Sequence, residues 1–298
     1  MLSVVLPTRD RPELLERALQ TLMPTIRASD EVIVVDSASI DPRVRRVSEA
    51  AGVRYVRCEE PGAARARNAG CRAATHELIA FTDDDVLVSA NWVEAMENAL
   101  LGNADRGFIT GRVEEPPEDP ASVRPVATTT TATAFDIEQC VVGPIGQSAN
   151  LGVHRKAFEA VGGFDELLGP GGALGAVAED SDLFDRLVHA GYPGRYEPAV
   201  LAYHVQWRDR SALLRLDWHY GLGCGYRMAK LLRSDRPCFW RVSWDLFYGW
   251  GFRLVLRSAR FRAKFGVLTN SVRILGMLAG FARGIRMRVH NGHLELRR

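Results

Sequence analysis

Three carboxylates stand side by side at Asp83, Asp84 and Asp85, directly after the apolar stretch 78–81. Burying three adjacent acids without partners would be very costly, so they must face solvent, bases or a cation. Alternate residues of a strand point to opposite faces, so Asp83 and Asp85 can share one side. There they could hold a hard divalent cation, Mg²⁺ or Mn²⁺, together with diphosphate oxygens. The alternative is a solvated acidic turn that caps the next helix.

A second group of acids lies about a hundred residues further on, at Glu179, Asp180 and Asp182. These residues follow a glycine-rich loop, 169–175, and open a predicted helix, 182–190. Acids in a first turn suit the helix dipole, which is the purely structural explanation for them. The sequence therefore contains two separate acidic clusters that are candidates for a functional site.

The first ~100 residues alternate strand and helix four times, which predicts a parallel sheet with right-handed crossovers. In such a sheet, ligands bind outside the carboxyl ends of the strands, which is where the acidic triplet falls. The first strand–helix turn reads PTRDRPE and lacks G-x-G-x-x-G, and no G-x-x-x-x-G-K-[ST] occurs. This disfavours a dinucleotide oxidoreductase and a P-loop NTPase. The predicted strands are 2–7, 31–35, 53–56 and 78–81.

The remaining two thirds of the chain are less regular. The long segment 114–147 is predicted to be a functional or mobile loop. Gly221, Gly223 and Gly225 are expected to loosen the helix that contains them. The further predicted strands are 107–113, 149–153 and 194–203, and the further predicted helices are 92–101, 156–161, 211–233, 239–262 and 266–286.

The charge of the chain is unevenly distributed. Of its 298 residues, 47% are hydrophobic and 25% charged, which is ordinary for a globular protein. Residues 207–298 carry 19 Lys and Arg against 5 Asp and Glu, a net charge of +14, whereas residues 1–206 carry −12. This asymmetry suggests two regions that face different partners.

The cysteines and the absence of apolar runs bear on location. The five cysteines are scattered without metal spacing, so we expect them to be reduced in a cytosolic setting. The start lacks the basic and apolar regions of a signal peptide, and no run of 18 uncharged apolar residues occurs. We therefore expect a cytoplasmic protein.

Four landmarks occur in a characteristic order: VVLPTRDRPELL, VIVVDSAS, GAARARNAG leading into LIAFTDDDV, and SANLGVHRKAFEAVGGFDE followed by AEDSDL. With these landmarks, 2–207 resembles an inverting family 2 glycosyltransferase of the GT-A fold. The resemblance implies an α/β fold with a Rossmann-like, mostly parallel central sheet flanked by helices. We expect a catalytic domain over 1–207, with a nucleotide-sugar-binding half (1–113) and an acceptor and base half (148–207). A basic helical region, 208–298, follows it.

The resemblance also implies roles for individual residues. Many family members carry a second acid beside the base-contacting one, and this chain has Ser37 there, which leaves the nucleotide base open. His204 could instead be structural, and Trp207 could be core. Trp207 could also stack on the acceptor or the leaving group, and Asp84 could point away from nucleoside and metal. The implied roles are nucleoside contact for Pro7, Thr8 and Arg9; base contact for Asp36; base and diphosphate contact for Arg65, Arg67 and Asn68; donor contact for Asp83 and Asp84; metal binding for Asp85 with Asp83 and His204; and general base for Asp180 beside Glu179.

The chemistry of sugar transfer fits this inventory. A nucleotide diphosphate leaves without a general acid, and a divalent cation, Mn²⁺ or Mg²⁺, stabilises its charge. The acceptor hydroxyl needs a carboxylate base on the opposite face of the sugar, and direct displacement inverts the anomeric centre. We therefore expect a metal-dependent inverting glycosyltransferase, with a UDP-sugar as donor and a glycan, lipid-linked sugar or metabolite as acceptor.

Rival interpretations stay open at this stage. A sugar nucleotidyltransferase would be expected to carry a glycine-rich first loop, which is absent. A catalytically silent sugar-nucleotide or membrane-binding scaffold would not need the intact Asp83, Asp85 and Asp180. The basic region 208–298 could be helices with solvated arginines, or it could bind the anionic inner face of a cell membrane. No motif supports nucleic-acid binding.

Overall fold

The computed structural model describes residues 1–118, 128–140, 143 and 145–296, with a central sheet flanked by helices. The strands are β1 (Leu2–Thr8), β2 (Glu31–Ser37), β3 (Arg54–Cys58), β4 (Leu78–Thr82), β5 (Val86–Val88), β6 (Phe108–Glu114), β7 (Phe135–Ile137), β8 (Asn150–His154), β9 (Gly194–His204), β10 (Arg288–His290) and β11 (His293–Glu295). The helices are α1 (Pro12–Leu22), α2 (Arg43–Ala50), α3 (Ala63–Ala73), α4 (Trp92–Gly102), α5 (Arg155–Ala160), α6 (Glu179–His189), α7 (Arg210–Ser234), α8 (Arg236–Trp244), α9 (Arg253–Arg260) and α10 (Lys264–Gly284).

The first four strands form the predicted parallel sheet in the order β3-β2-β1-β4. Every residue of β1 and of β4 is buried, as expected for parallel strands covered on both faces. Thr8, at the end of β1, is opposite Asp36 of β2, so these two strands end at the same edge of the sheet. The acidic triplet follows β4 at that edge.

The second half of the sheet is mixed, and the predicted parallel arrangement does not extend into it. It continues from β4 as β8-β6-β9-β5, in which β8 is antiparallel to both neighbours and β6 is parallel to β9. The antiparallel pairing of β5 with β9 sets Val86 opposite His204. As a result, His204 is brought beside the acidic triplet.

The two faces of the sheet carry separate cores, because successive residues of each strand point to opposite sides. Val4 and Leu6 belong to the core packed by α1, α2 and α4. Val5, between them, belongs to the core packed by α3, α5 and α6. Helices thus cover both faces and leave the strand ends accessible.

The C-terminal helices differ in two ways from the expectation. The glycines of α7 do not loosen it: a Cβ atom at Gly221 or Gly225 would collide with the backbone of α10, so these glycines permit close helix packing. The helix predicted over 239–262 is divided into α8, a π-helical segment (Asp245–Phe252) and α9. A short hairpin of β10 and β11, which was not predicted, follows α10.

The prediction that all cysteines are reduced is wrong for one pair. Cys140 and Cys238 form a disulfide across 98 residues of sequence. Such a pair cannot be foreseen from spacing, because it depends on the packing of α8 against the segment after β7. Cys58, Cys71 and Cys224 are free.

Candidate active site

The central acid of the triplet is turned into the protein. Asp84 is 1% exposed, and its Oδ2 atom accepts a hydrogen bond from the Thr8 hydroxyl at 2.7 Å. Arg11 Nη2 lies 3.0 Å from Asp84 Oδ1. Burial raises the pKa of Asp84 to about 7, although Arg11 acts in the opposite direction. The carboxylate of Asp84 therefore ties the end of β4 to the loop after β1.

Asp85 lies among basic side chains. Its Oδ1 atom is 3.4 Å from His204 Nε2, and its Oδ2 atom accepts a hydrogen bond from Trp207 Nε1 at 2.8 Å. Arg11 and Arg208 each approach Oδ2 to 3.4 Å. Burial alone would raise the pKa of Asp85, but the charges of His204, Arg11 and Arg208 outweigh it and hold the pKa far below its usual range. Asp85 is thus stabilised as a carboxylate, and both of its oxygens face positively charged or hydrogen-bond-donating side chains.

Arg67 joins the two acidic clusters. Its Nη2 atom is 2.7 Å from Asp83 Oδ1, and its Nη1 atom is 3.3 Å from Glu179 Oε1, at the start of α6. The guanidinium is 3% exposed. Burial disfavours its charge, but Asp83, Asp180 and Glu179 raise the pKa of Arg67 overall. Arg67 therefore forms ion pairs with both Asp83 and Glu179, which are 96 positions apart in the sequence.

The carboxylates at the start of α6 are unusually basic. Burial, followed by the charge of Asp180, raises the pKa of Glu179 to about 8. Burial also raises the pKa of Asp180, although Arg67 and hydrogen bonding to Ser148 oppose this. The Asp180 Oδ1 atom is buried and has no hydrogen-bond partner among the described residues. A carboxylate with a raised pKa and an unused oxygen is suited to accept a proton.

We expect Arg67→Ala to lower the free energy of unfolding by about 3–5 kcal/mol, because it leaves buried carboxylates without their counter-charge. Denaturant unfolding followed by circular dichroism would measure this. Arg65→Ala is the matched control: Arg65 pairs with Glu60 and Glu166 but is about one third exposed, so its loss should cost less than about 1 kcal/mol. Equal costs for the two variants would contradict the assigned bridging role of Arg67.

The side chains at the end of β2 are already engaged. Asp36 accepts hydrogen bonds from the Ser39 amide at 2.8 Å, the Tyr55 hydroxyl at 2.5 Å and Arg57 at 2.9 Å. The Ser37 hydroxyl, at the position where a second acid was considered, accepts a hydrogen bond from the Gly62 amide at 2.9 Å. Ser37 therefore connects β2 to the start of α3.

The other predicted donor-binding residues differ in their exposure and in the contacts they make. Arg9 is exposed, and Pro7 is buried at the end of β1 beside Thr8. The side chain of Asn68 makes structural contacts. Its Nδ2 atom donates a hydrogen bond to the carbonyl of Phe164, and its Oδ1 atom accepts one from the amide of Phe164, each at 2.9 Å. It thus holds the turn after α5, and its contact with a donor stays a prediction.

Sequence reasoning missed three residues that the structure places around Asp85 and α6. Arg11 lies in the PTRDRPELL segment, and Arg208 directly follows Trp207, so both could have been considered from their neighbours. Their guanidinium groups lie 5.3 and 4.4 Å from the ring of Trp207, where each makes a cation–π contact. Tyr220 lies in the middle of α7, and no sequence signal marks it. Burial raises the pKa of Tyr220 to about 12, and both Arg208 and Glu179 influence its ionisation.

The residues present fit a divalent cation. Asp85 Oδ1 and His204 Nε2 converge, and the buried Nδ1 atom of His204 has no hydrogen-bond partner among the described residues. Burial disfavours the imidazolium, but the negative charge of Asp85 outweighs burial and raises the pKa of His204. Asp85 therefore stabilises a positive charge at the position of His204. Carboxylate and imidazole are ligands that Mn²⁺ accepts.

Comparison with known proteins identifies the family of this chain. The family model described as Glycosyl transferase family 2 matches residues 3–162, which is more than half of the chain. The chain belongs to glycosyl transferase family 2. The family predicted from its four landmarks is confirmed.

Two relatives show how far the likeness extends. The chain is 33% identical over 229 residues to Validoxylamine A glucosyltransferase of Streptomyces hygroscopicus subsp. limoneus, covering 65% of this chain and 49% of that protein. It is 30% identical over 227 residues to Pre-mycofactocin glycosyltransferase of Mycobacterium tuberculosis, covering 72% of this chain and 44% of that protein. The family 2 chain thus spans about half the length of these relatives.

Solved structures confirm the GT-A fold. The mannosyltransferase PcManGT from Pyrobaculum calidifontis, in complex with GDP-Man and Mn²⁺, superposes with a TM-score of 0.59 at 22% identity, covering 93% of this chain and 75% of that one. Glucosyl-3-phosphoglycerate synthase from Mycobacterium tuberculosis, in complex with Mn²⁺, UDP-Glc and phosphoglyceric acid, gives a TM-score of 0.51 at 17% identity, covering 74% and 77%. At these identities the likeness concerns the fold alone.

Proposed function

We propose that this family 2 chain is a metal-dependent, inverting glycosyltransferase that moves a sugar from a nucleotide-diphospho sugar to a hydroxyl acceptor. The observation that carries the proposal is the joining of the two acidic clusters by buried Arg67. In this proposal a cation would bind at Asp85 and His204, next to Asp83 in the first cluster, and Asp180, next to Glu179 in the second, would accept the proton. Inverting transfer requires the cation and the base within reach of one sugar.

In the proposed mechanism, Asp85 and His204 would hold Mn²⁺ or Mg²⁺, with Asp83 as a further carboxylate at the same edge. The ion supplies charge stabilisation for the departing diphosphate. Arg11 and Arg208 place two further positive charges beside Asp85, where they can bind phosphate oxygens. Asp180 takes the proton of the acceptor hydroxyl, and Arg67 holds Glu179 and Asp83 in register with it.

We infer that the donor is a UDP-sugar, bound at the edge formed by Thr8, Arg9 and Asp36. The neighbour in complex with UDP-Glc supports a uridine donor, and the neighbour in complex with GDP-Man makes a guanosine donor the alternative to test. Ser37 and Asp36 both accept hydrogen bonds within the protein, so base selection would rest on the adjacent backbone or require Asp36 to exchange one of its partners.

A thermal-shift panel tests the donor proposal. UDP-, GDP-, ADP- and dTDP-sugars would each be added with and without Mn²⁺. We expect stabilisation by UDP-sugars that requires Mn²⁺, because a cation held by Asp85 would offset the negative charge of the diphosphate. Stabilisation by another base alone would overturn the choice of uridine, and stabilisation independent of metal would overturn the proposed metal role.

We also propose that the basic region contacts an anionic membrane. Side chains at four-residue intervals along α8, the π-helical segment and α9 are about half or more exposed, and all are apolar or aromatic: Trp240, Trp244, Tyr248, Phe252 and Leu256. Exposed Arg253, Arg257 and Arg260 accompany them. Aromatic residues with arginines suit the headgroup level of a bilayer.

One further helix bears on location. Among the described residues, α10 alone has the length and composition to cross a membrane, and 28% of its apolar window is buried. A single helix of this kind is weak evidence for a span. We propose a cytoplasmic enzyme that lies peripherally on the inner face of the cell membrane, where a lipid-linked acceptor would be within reach.

Co-sedimentation with vesicles tests the membrane proposal. We expect binding to vesicles that contain anionic lipid, weakening as salt rises, and a clear loss for Trp244→Ser combined with Phe252→Ser. Leu101→Ser is the matched control, because Leu101 is an equally exposed apolar residue on α4. Absence of binding at low salt, or equal loss in the control, would contradict the proposal.

A further inference from the structure

A cluster of four potential metal ligands lies outside the active site. Cys140, His189, Asp235 and Cys238 each offer one atom, and these atoms all lie within 4.8 Å of one another. They come from three separate places: the segment after β7, the last residue of α6 and the junction of α7 with α8. We refer to these four residues as the Cys–His–Asp cluster.

His189 is oriented as a ligand would be. Its Nδ1 atom lies 2.7 Å from the carbonyl oxygen of Asp185, so Nδ1 carries the proton and donates it there. In the neutral ring, Nε2 then bears the lone pair, and it faces Asp235 Oδ2 at 2.8 Å. Two acceptor atoms face each other in this arrangement, so a proton or a metal ion must lie between them. A carbonyl that fixes the tautomer is the usual support of a metal-binding histidine.

Asp235 and Cys238 are held in place by the start of α8. Asp235 is the N-cap, and its Oδ1 atom accepts a hydrogen bond from the Cys238 amide at 2.9 Å. This leaves Oδ2 directed into the cluster. The backbone of Cys140 is fixed as well, because Arg241 of α8 donates a hydrogen bond to its carbonyl at 2.9 Å. The donors are thus preorganised, and Arg241 supplies positive charge beside them.

We propose that the Cys–His–Asp cluster binds one Zn²⁺ when its cysteines are reduced. Two sulfurs, one imidazole nitrogen and one carboxylate oxygen form the four-ligand set that tetrahedral zinc prefers, whereas Mg²⁺ and Mn²⁺ prefer oxygen. Reduction of the disulfide by two equivalents of a small thiol yields two cysteine thiols and the oxidised thiol. Zinc binding then releases the two thiol protons. Disulfide and zinc site are alternative states of the same residues.

Either state connects the catalytic domain to the basic region. Cys140 and His189 belong to the catalytic domain, and Asp235 and Cys238 belong to the helices that follow it. Zinc would therefore fasten the start of α8 to the end of α6 and the segment after β7 in a reducing compartment, where a disulfide is not maintained. This inference does not depend on the proposed glycosyl transfer.

The test uses the full chain, reduced under anaerobic, metal-free conditions and then titrated with Zn²⁺ or with Co²⁺ as a spectroscopic probe. We expect one zinc per chain by elemental analysis and a rise in Tm on zinc addition. Co²⁺ should give a sulfur-to-cobalt charge-transfer absorption together with the strong visible bands of a tetrahedral site. The absorption from sulfur distinguishes this site from Asp85 and His204.

Variants locate the metal. Cys140→Ser should abolish the charge-transfer absorption or reduce it by half or more, and His189→Gln should weaken zinc binding at least tenfold. Cys58→Ser is the matched control, because Cys58 is free and outside the cluster, and its zinc binding should equal that of the wild type. Because the cobalt spectrum is recorded on the wild type, misfolding of a variant does not obscure the result. No sulfur-to-cobalt absorption, or the same zinc content in Cys140→Ser and the wild type, would overturn the proposal.

Discussion

Asp180→Asn is expected to lower the rate of sugar transfer by about 10³-fold while leaving Mn²⁺-dependent nucleotide binding close to that of the wild type, because a general base contributes about 10²–10⁴-fold. The asparagine keeps the shape of the side chain and removes its capacity to accept a proton. Burial raises the pKa of Asp180, so the acid limb of the wild-type pH–rate profile should lie above the ordinary range of an aspartate. Below that limb the base is protonated and the rate falls.

Single-turnover assays with a radiolabelled donor would measure the effect. Asp105→Asn serves as the matched control, since Asp105 is an exposed carboxylate on the turn after α4 and should show no change. Transfer by Asp180→Asn at the wild-type rate would show that another group takes the proton. Loss of nucleotide binding in the same variant would instead indicate a structural role.

Asp85→Asn is the second change with a large expected effect. Removing even an outer-shell partner of a metal ligand costs about 10–100-fold in metal affinity, so loss of a ligand itself should weaken Mn²⁺ binding by at least about 100-fold. Donor binding should fall with it, because a cation bound at Asp85 would offset the negative charge of the diphosphate. The substitution also removes the negative charge that Arg11, His204 and Arg208 now surround, so those side chains are expected to repel one another.

Calorimetric titration with Mn²⁺, in the presence of nucleotide, would measure this loss. His204→Ala is expected to give a smaller effect, since oxygen ligands suit Mn²⁺ better than imidazole. Asp105→Asn should again behave as the wild type. Unchanged Mn²⁺ affinity in Asp85→Asn, with the fold intact by circular dichroism, would contradict the proposed metal site.

The family, the GT-A fold and the enzyme class could be predicted because the signals are local. Near-continuous apolar runs define β1, β2 and β4, and the acidic triplet marks the end of β4. The acidic residues in the first turn of α6 likewise indicate the start of that helix. The second half of the sheet was less predictable, because β5 and β7 contain three residues each and their pairing depends on contacts far along the chain.

Residues that reach the site through tertiary packing were not predictable. Tyr220 belongs to the basic region, outside the landmarks, and only the fold brings it close enough to Glu179 and Asp180 to feel their charges. The resemblance implies donor contact for Asn68 and Asp84, with Asp84 also able to point away from the ligand; in the structure their side chains contact Phe164, Thr8 and Arg11, and donor contact by either residue stays a prediction. Resemblance transfers positions in a chain, whereas hydrogen bonding decides which side chains are free to meet a ligand.

The division of labour between the two acidic clusters is tested most directly by UDP binding, with and without Mn²⁺, to three proteins: wild type, Asp180→Asn and Asp85→Asn. The account predicts metal-dependent binding of similar affinity for wild type and Asp180→Asn, and binding at least about 10-fold weaker for Asp85→Asn. Equal affinity in all three proteins, or binding that is indifferent to Mn²⁺, would contradict it.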